Sequence, residues 1–234
     1  MIAPRHDRLP RAHNLIEIPG ALVARLPDVA LREAGDRLPA HPRFRGEAAS
    51  SVSRPAVIAV FVGGDTAAYR LDPAFAEALI DQVRTACAEL DGWCLVTTSR
   101  RTPASVEQLF AERLERDARC RLLLLASRDA LDGTMEGMLG LADVAVVTGE
   151  SISMVSEACA SGRRVIVVEP PLRNGRRPMT KHHRFLQEIA AAGYARLVEP
   201  SEVAGAIREA LAQRGSPRRL DAYGIVRGAV ASLL

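Results

Sequence analysis

Three short stretches carry side chains suited to holding anions: "GGDT" (63–66), "TTSRRTP" (97–103) and "TGESISMVSE" (148–157). In the first, Gly63 and Gly64 let backbone come close to a ligand, and exposed amides beyond them can receive phosphate. The second offers hydroxyls at Thr97, Thr98, Ser99 and Thr102 and guanidiniums at Arg100 and Arg101. In the third, Thr148 ends an apolar run, and Ser151, Ser153 and Met154 open a helical pattern. Glu157 lies one turn beyond Ser153 on the same helix face. Its neighbours Met154, Val155, Ala158 and Cys159 are small or apolar. A carboxylate there can accept two hydroxyl hydrogen bonds, as from a ribose diol. Capping is the alternative use for one serine, since a Ser cap contributes about 1 kcal/mol with or without a ligand.

Other chemistries find less support. "GGDT" lacks the G-K-[ST] of a P-loop and the G-x-G-x-x-G of a dinucleotide fold, and Ser99-Arg100 stands where an oxidoreductase would hold ribose with an acid. No Ser-His-Asp, H-E-x-x-H or C-x-x-C pattern stands out, so neither nucleophilic catalysis nor a metal is expected. Segment 170–184 holds five basic residues and no acidic one, and is either a phosphate-attracting or a solvated loop. His182 and His183 are adjacent, which suits at most one of them to a site.

The elements that must position these loops alternate regularly. Apolar runs at 56–64, 93–99, 121–127, 143–149, 164–169 and 194–198 read as strands, and helical patterns fall at 72–90, 103–115, 134–142, after Ser151, 182–193 and 201–215. Asp72 and Ser201 are placed as N-caps, and Pro73 suits a first helical turn. Strands apolar throughout imply a parallel sheet covered on both faces. The expected fold is α/β: a doubly wound, mainly parallel, six-stranded Rossmann-like sheet in the order 3-2-1-4-5-6. It spans 55–215, after an N-terminal extension and linker (1–54, with 46–55 the linker itself) and before a last helix (216–234). In the extension, "NLIEI" (14–18) suggests a strand and "LREAGDRL" a short helix.

Composition narrows the classes further. Of 31 basic residues only Lys181 is lysine, which dilutes the meaning of any one arginine, and a net charge of +3 gives no case for nucleic acid. Four dispersed cysteines (87, 94, 120, 159) sit in apolar segments and read as buried thiols. The N-terminus lacks a signal peptide's apolar run, and no run approaches the about 20 residues of a membrane span. A cytoplasmic bacterial protein is expected.

With these motifs in hand, "VTTSRRTP", "ADVAVVTGESISMVSEACASGRRVIV" and "APRHDRLPRAHNLIEIPGAL" together resemble the mitochondrial fission factor (elongated-mitochondria) family, over nearly the whole chain. That family is in turn similar to GT-B glycosyltransferases and nucleotide-sugar 2-epimerases, whose two Rossmann-like domains face across a cleft. The resemblance implies the C-terminal half of such a fold, binding a nucleotide diphosphate sugar and no cofactor. It implies phosphate contacts at Gly63, Gly64, Ser151 and Ser153, with Ser99 and Arg100 nearby, and ribose on Glu157; Arg101, Thr102, Thr148 and Met154 complete the expected set. Family members carry a domain before the "PRHD" segment, where this chain begins. The expectation is therefore glycosyltransferase- or epimerase-like activity only with a separate N-terminal-domain partner. The alternative is a non-catalytic interaction module. The helix at 220–234, which would cross to that domain, is expected to leave an apolar face that favours a homo-oligomer.

Overall fold

The computed structural model describes residues 1–24, 27–46, 55–173 and 181–232. Two short parallel strands, β1 (Ile2–Pro4) and β2 (Ile16–Ile18), pair near the N-terminus, β1 being an element the sequence pattern did not announce. Helix α1 (Asp28–Arg37) follows. The main sheet then collects β3 (Val57–Phe61), β4 (Trp93–Thr97), β5 (Cys120–Leu124), β6 (Val144–Thr148), β7 (Arg164–Val168) and β8 (Arg196–Val198). Their order is β5-β4-β3-β6-β7-β8, all parallel, which is the expected 3-2-1-4-5-6 arrangement.

Alternation along each strand feeds two cores. Ile58 and Val60 point to one face, which α2 (Pro73–Glu89), α3 (Ala104–Leu114) and α7 (Val203–Ala212) cover. Val57, Ala59 and Phe61 point to the other, under α4 (Thr134–Leu141), α5 (Ile152–Ala160) and α6 (Lys181–Ala191). Every residue of β3, β4 and β6 is buried, as a sheet sandwiched between helices requires.

The N-terminal residues complete the second core: Ile18 and Leu31 are each only 1% exposed. Helix α1 reaches α4 through glycines. A Cβ on Gly140 would stand 2.0 Å from the Leu31 carbonyl oxygen, so the backbones touch where a side chain would separate them.

Asp72 caps α2 as expected, accepting from the Phe75 amide at 2.8 Å, with Pro73 in the first turn. Ser201 does not cap α7. The helix is entered through a 3-10 turn (Pro200–Glu202), and Glu199 and Glu202 satisfy each other's amides in a capping box. A carboxylate at each end of that turn serves both orphan amides, leaving the serine no amide to satisfy.

The last helix, α8 (Ala222–Ala231), is capped by Asp221 and leaves Tyr223, Ile225 and Val230 exposed. All four cysteines are buried free thiols. The thiols of Cys87, Cys94 and Cys120, from α2, β4 and β5, meet in the first core, where hydrogen bonding and burial push the Cys94 thiol well up. Among the described residues, no helix is long and apolar enough to cross a membrane. Of the expected linker at 46–55, residues 47–54 lie outside the described residues.

Candidate functional site

The loops after β3, β4 and β6 meet at the carboxyl edge of the sheet, where open α/β folds bind ligands. Their polar groups first satisfy one another. The Gly63 amide donates to Thr148 Oγ1 at 2.8 Å, and Thr148 Oγ1 lies 3.1 Å from Glu150 Oε1. Thr102 Oγ1 accepts from the Ser99 amide at 2.9 Å and donates to the Gly63 carbonyl. Ser99 Oγ accepts from the Arg101 amide at 3.3 Å, and the Asp65 amide donates to the Arg101 carbonyl at 3.2 Å. Thr98 Oγ1 accepts from the Ala126 amide and donates to the buried Glu107.

Both glycines are buried, and each makes room for the chain itself. A Cβ on Gly63 would fall 1.6 Å from Glu150 Oε1, and one on Gly64 would fall 2.1 Å from the Arg101 carbonyl. The side chains of Arg100 and Arg101 remain exposed.

Glu150 sits at the centre of this knot and was not singled out from the sequence. It is 1% exposed, and burial pushes its carboxyl up to about 7 against the opposing pull of the Thr148 hydroxyl, the Gly64 amide and Arg101. Its Oε2 is buried without a hydrogen-bond partner among the described residues. The available signal was a carboxylate placed two residues past a fully buried strand, where the chain is still inside the protein.

Helix α5 presents the opposite condition. Ser151 occupies its N-cap position and is 7% exposed, yet its hydroxyl makes no cap hydrogen bond. Capping therefore accounts for none of these serines, because the N-cap hydroxyl does not reach the first-turn amides. Those of Ile152, Ser153 and Met154 carry no hydrogen bond within the described residues. The Met154 side chain packs against the second core. Ser156 faces inward: its hydroxyl donates to the Ile152 carbonyl at 2.7 Å and accepts from the Ala21 amide at 3.0 Å. That bond pins the N-terminal strap alongside α5.

Between this strap, α4 and α5 lies a cavity of about 390 Å³ with Ser153 and Glu157 on its wall, within the about 300–1,000 Å³ of small-molecule pockets. Glu157 is half-buried, and its carboxyl is raised first by burial and then by the charge of Glu136 across the cavity. The expected set thus divides. Ser153 and Glu157 line the cavity. Gly63, Gly64, Ser99, Thr102 and Thr148 are bound into the edge knot, Arg100 and Arg101 stand over it, and Ser151 and Met154 begin the helix between.

Further along the edge, Glu169 accepts from the Tyr69 hydroxyl at 2.6 Å and lies 3.1 Å from His183 Nδ1. His182 packs edge-on against Tyr69, and burial lowers its pKa, helped by Lys181 and Arg101. Of the basic stretch 170–184, residues 174–180 lie outside the described residues; Arg173 pairs with Asp65 at 2.8 Å. Among the described residues, no group of three or more His, Cys, Asp or Glu is arranged to hold a metal.

The strand order and the all-parallel sheet between two layers of helices together define a doubly wound Rossmann-like domain. The chain belongs to the mitochondrial fission ELM1 family, whose model matches residues 1–218. Among solved structures it is similar to a Listeria monocytogenes protein assigned as a UDP-N-acetylglucosamine 2-epimerase, at 13% identity and a TM-score of 0.48, covering 76% of this chain and 45% of that one. It is also similar to the N-terminal domain of a Candida albicans trehalose-6-phosphate phosphatase (14%, TM-score 0.47, 79% of this chain and 38% of that one). A third is a UDP-forming trehalose-phosphate synthase from Burkholderia xenovorans (13%, TM-score 0.45, 94% and 48%). The chain spans less than half the length of each of these three. No curated protein sequence matches it.

Proposed function

We propose that the protein binds a nucleoside diphosphate or its sugar along α5, as the C-terminal half of a GT-B-like fold. The observation that carries this reading is the helix itself. Unbonded first-turn amides and Ser153 stand one turn from Glu157, beside a cavity of ligand size. Free amides and the helix dipole favour phosphate at the N-terminus, and a carboxylate one turn on suits a ribose diol. Arg100 and Arg101, exposed on the adjoining edge, would add charge beside the phosphate end. The transferase- or epimerase-like chemistry that the GT-B resemblance implies would draw its acceptor and base from a facing domain. In it, amides and guanidiniums stabilise the departing diphosphate.

Thermal shift with UDP, GDP, CDP and their sugars tests this. A ligand at 100 times its dissociation constant adds about 2.7 kcal/mol of stability. No shift with any of them would overturn the reading. A second reading, a non-catalytic interaction module acting through a homo-oligomer or another polypeptide, is favoured by the exposed Tyr223, Ile225 and Val230 of α8. It predicts self-association that a Tyr223→Ser/Ile225→Ser variant loses in analytical ultracentrifugation.

A further inference from the structure

The adjacent histidines at the start of α6 stand in different surroundings. His182 packs edge-on against the Tyr69 ring. His183 Nδ1 instead lies 3.1 Å from Glu169 Oε1, and the Tyr69 hydroxyl donates to that same oxygen at 2.6 Å. An ionised carboxylate only accepts hydrogen bonds, so Nδ1 is the donor and Nε2 is the accepting nitrogen of the neutral ring. Tyr69 is fully buried, and the loops that carry it and Glu169 are locked together. The Arg70 amide donates to the Pro171 carbonyl at 3.0 Å, and the Arg173 amide to the Ala68 carbonyl at 2.9 Å. A fixed frame thus holds the imidazole, while the His183 side chain keeps 15% of its surface exposed.

This frame adjoins the turn that opens α5. Glu169 follows β7 as Gly149 follows β6, and the Gly149 amide donates to the Val168 carbonyl at 2.8 Å. Leu186, one turn beyond His183 on the same helix face, lies so close that a Cβ on Gly149 would stand 2.8 Å from its Cδ1. The neighbouring charges are sorted. Arg184 donates to the His6 carbonyl at 3.1 Å, with the His6 ring against Phe185, and Arg173 pairs with Asp65. Lys181 and Arg101 bear on His182, and Arg101 bears on Glu150 as well, so its guanidinium spans the edge from the β4 loop toward α6. Resting on the reading that the α5 N-terminus holds a diphosphate, we infer that His183, fixed by Glu169 and Tyr69, is the proton donor to that ligand's terminal phosphate. As the sugar's C1 bonds to an acceptor oxygen, whose proton goes to the facing domain's base, the C1–O bond to phosphate breaks. Its electron pair stays on the phosphate oxygen, which receives the Nε2 proton of the imidazolium, and the ring ends neutral with its Nδ1–H on Glu169. Glu169 and Tyr69 are positioning residues: they set the tautomer, and the carboxylate's charge stabilises the imidazolium. A free diphosphate should therefore bind together with a proton.

Titration calorimetry of the full chain with UDP, GDP, CDP and their glucose esters tests this. Run at about pH 7.5, above the ordinary His value, in two buffers of different ionisation enthalpy, it counts the protons that binding takes up. A diphosphate that binds should take up a measurable fraction of a proton, and its glucose ester, whose terminal phosphate is blocked, should take up less. His183→Gln should abolish the uptake and weaken the diphosphate roughly 10-fold, the worth of one charged hydrogen bond. His182→Gln should leave both unchanged. Glu169→Gln keeps an acceptor for Nδ1 but removes the charge, so it should bind with reduced uptake, a change that a purely structural role would not produce. Binding without uptake, uptake equal for diphosphate and ester, or uptake that survives His183→Gln would overturn the inference and leave the diphosphate reading standing. Binding of none of these ligands would overturn that reading, and the inference with it.

Discussion

Two polar regions meet at residues 150 and 151 and differ in how far their groups are already used. At the sheet edge, the hydroxyls of Thr102 and Thr148 and the amides of Gly63 and Ser99 bond to one another. Along α5, the Ser151 hydroxyl makes no cap bond and Glu157 faces a cavity. A buried polar group left unpaired costs free energy, so a fold retains one where something else repays it. The edge knot spends its polarity on joining β3, β4 and β6 into one surface, with Glu150 Oε2 its one buried oxygen left over among the described residues; the α5 cavity leaves the Ser151 hydroxyl and the half-buried Glu157 carboxylate open to a partner. Residue type alone does not separate the two, since serine and glutamate serve in both.

Substitutions should divide along the same line. The largest effect is expected from Gly64→Ala. Its Cβ would stand 2.1 Å from the Arg101 backbone, which cannot move without breaking the loop, so urea denaturation should show a loss of about 3 kcal/mol or more. An unchanged midpoint would mean the two loops are not in register.

Next comes Glu150, through pH. Its folded carboxyl titrates at about 7 against 4.5 for the ordinary group. Below that ordinary value its contribution to stability is fully present. As pH rises toward 7 the unfolded chain gives up a proton that the folded chain keeps, so stability falls, by up to about 3 kcal/mol. Glu150→Gln should flatten this slope between pH 4.5 and 7 and make the variant relatively more stable at pH 8, read by melting temperature. A slope as steep as that of the parent would place the proton elsewhere.

Thr102→Val removes an acceptor from the Ser99 amide and a donor from the Gly63 carbonyl, and should cost about 1–2 kcal/mol. The smallest effect belongs to the cavity. Glu157→Ala breaks no internal bond and relieves a carboxyl raised by burial and by Glu136, so stability near neutral pH should change by less than about 0.5 kcal/mol. A loss comparable to that of Thr102→Val would show that Glu157 holds the fold together.

The same contrast marks what was legible in the sequence. Strands such as Val57–Phe61 and Val144–Thr148 read plainly because burial on both faces demands unbroken apolar runs, and their order followed from parallel crossovers. Asp72 read plainly because a cap is a local arrangement. The use of each hydroxyl was not legible. Thr102 serves the Ser99 amide close by but also a carbonyl 39 residues away, and only the assembled sheet brings Gly63 there. Glu150 was hidden for the same reason: its burial is created by Gly63 and Thr148, from two other points in the chain. At α7 the capping box lay in "EPSE", but Ser201 matched the simpler cap pattern and drew attention from Glu199 and Glu202. The strand β1 is three residues long and pairs with β2, too short to show a period.

The most direct test compares ligand binding in the two regions with the fold held intact. GDP titrated into the parent, Thr102→Val and Glu157→Ala chains, each confirmed as folded by circular dichroism, should bind the first two with similar affinity and the third at least roughly 10-fold more weakly, as loss of a hydrogen bond to a charged group implies. Undiminished binding to Glu157→Ala, or loss of binding confined to Thr102→Val, would move the ligand from the α5 cavity to the sheet edge and contradict the division drawn between them.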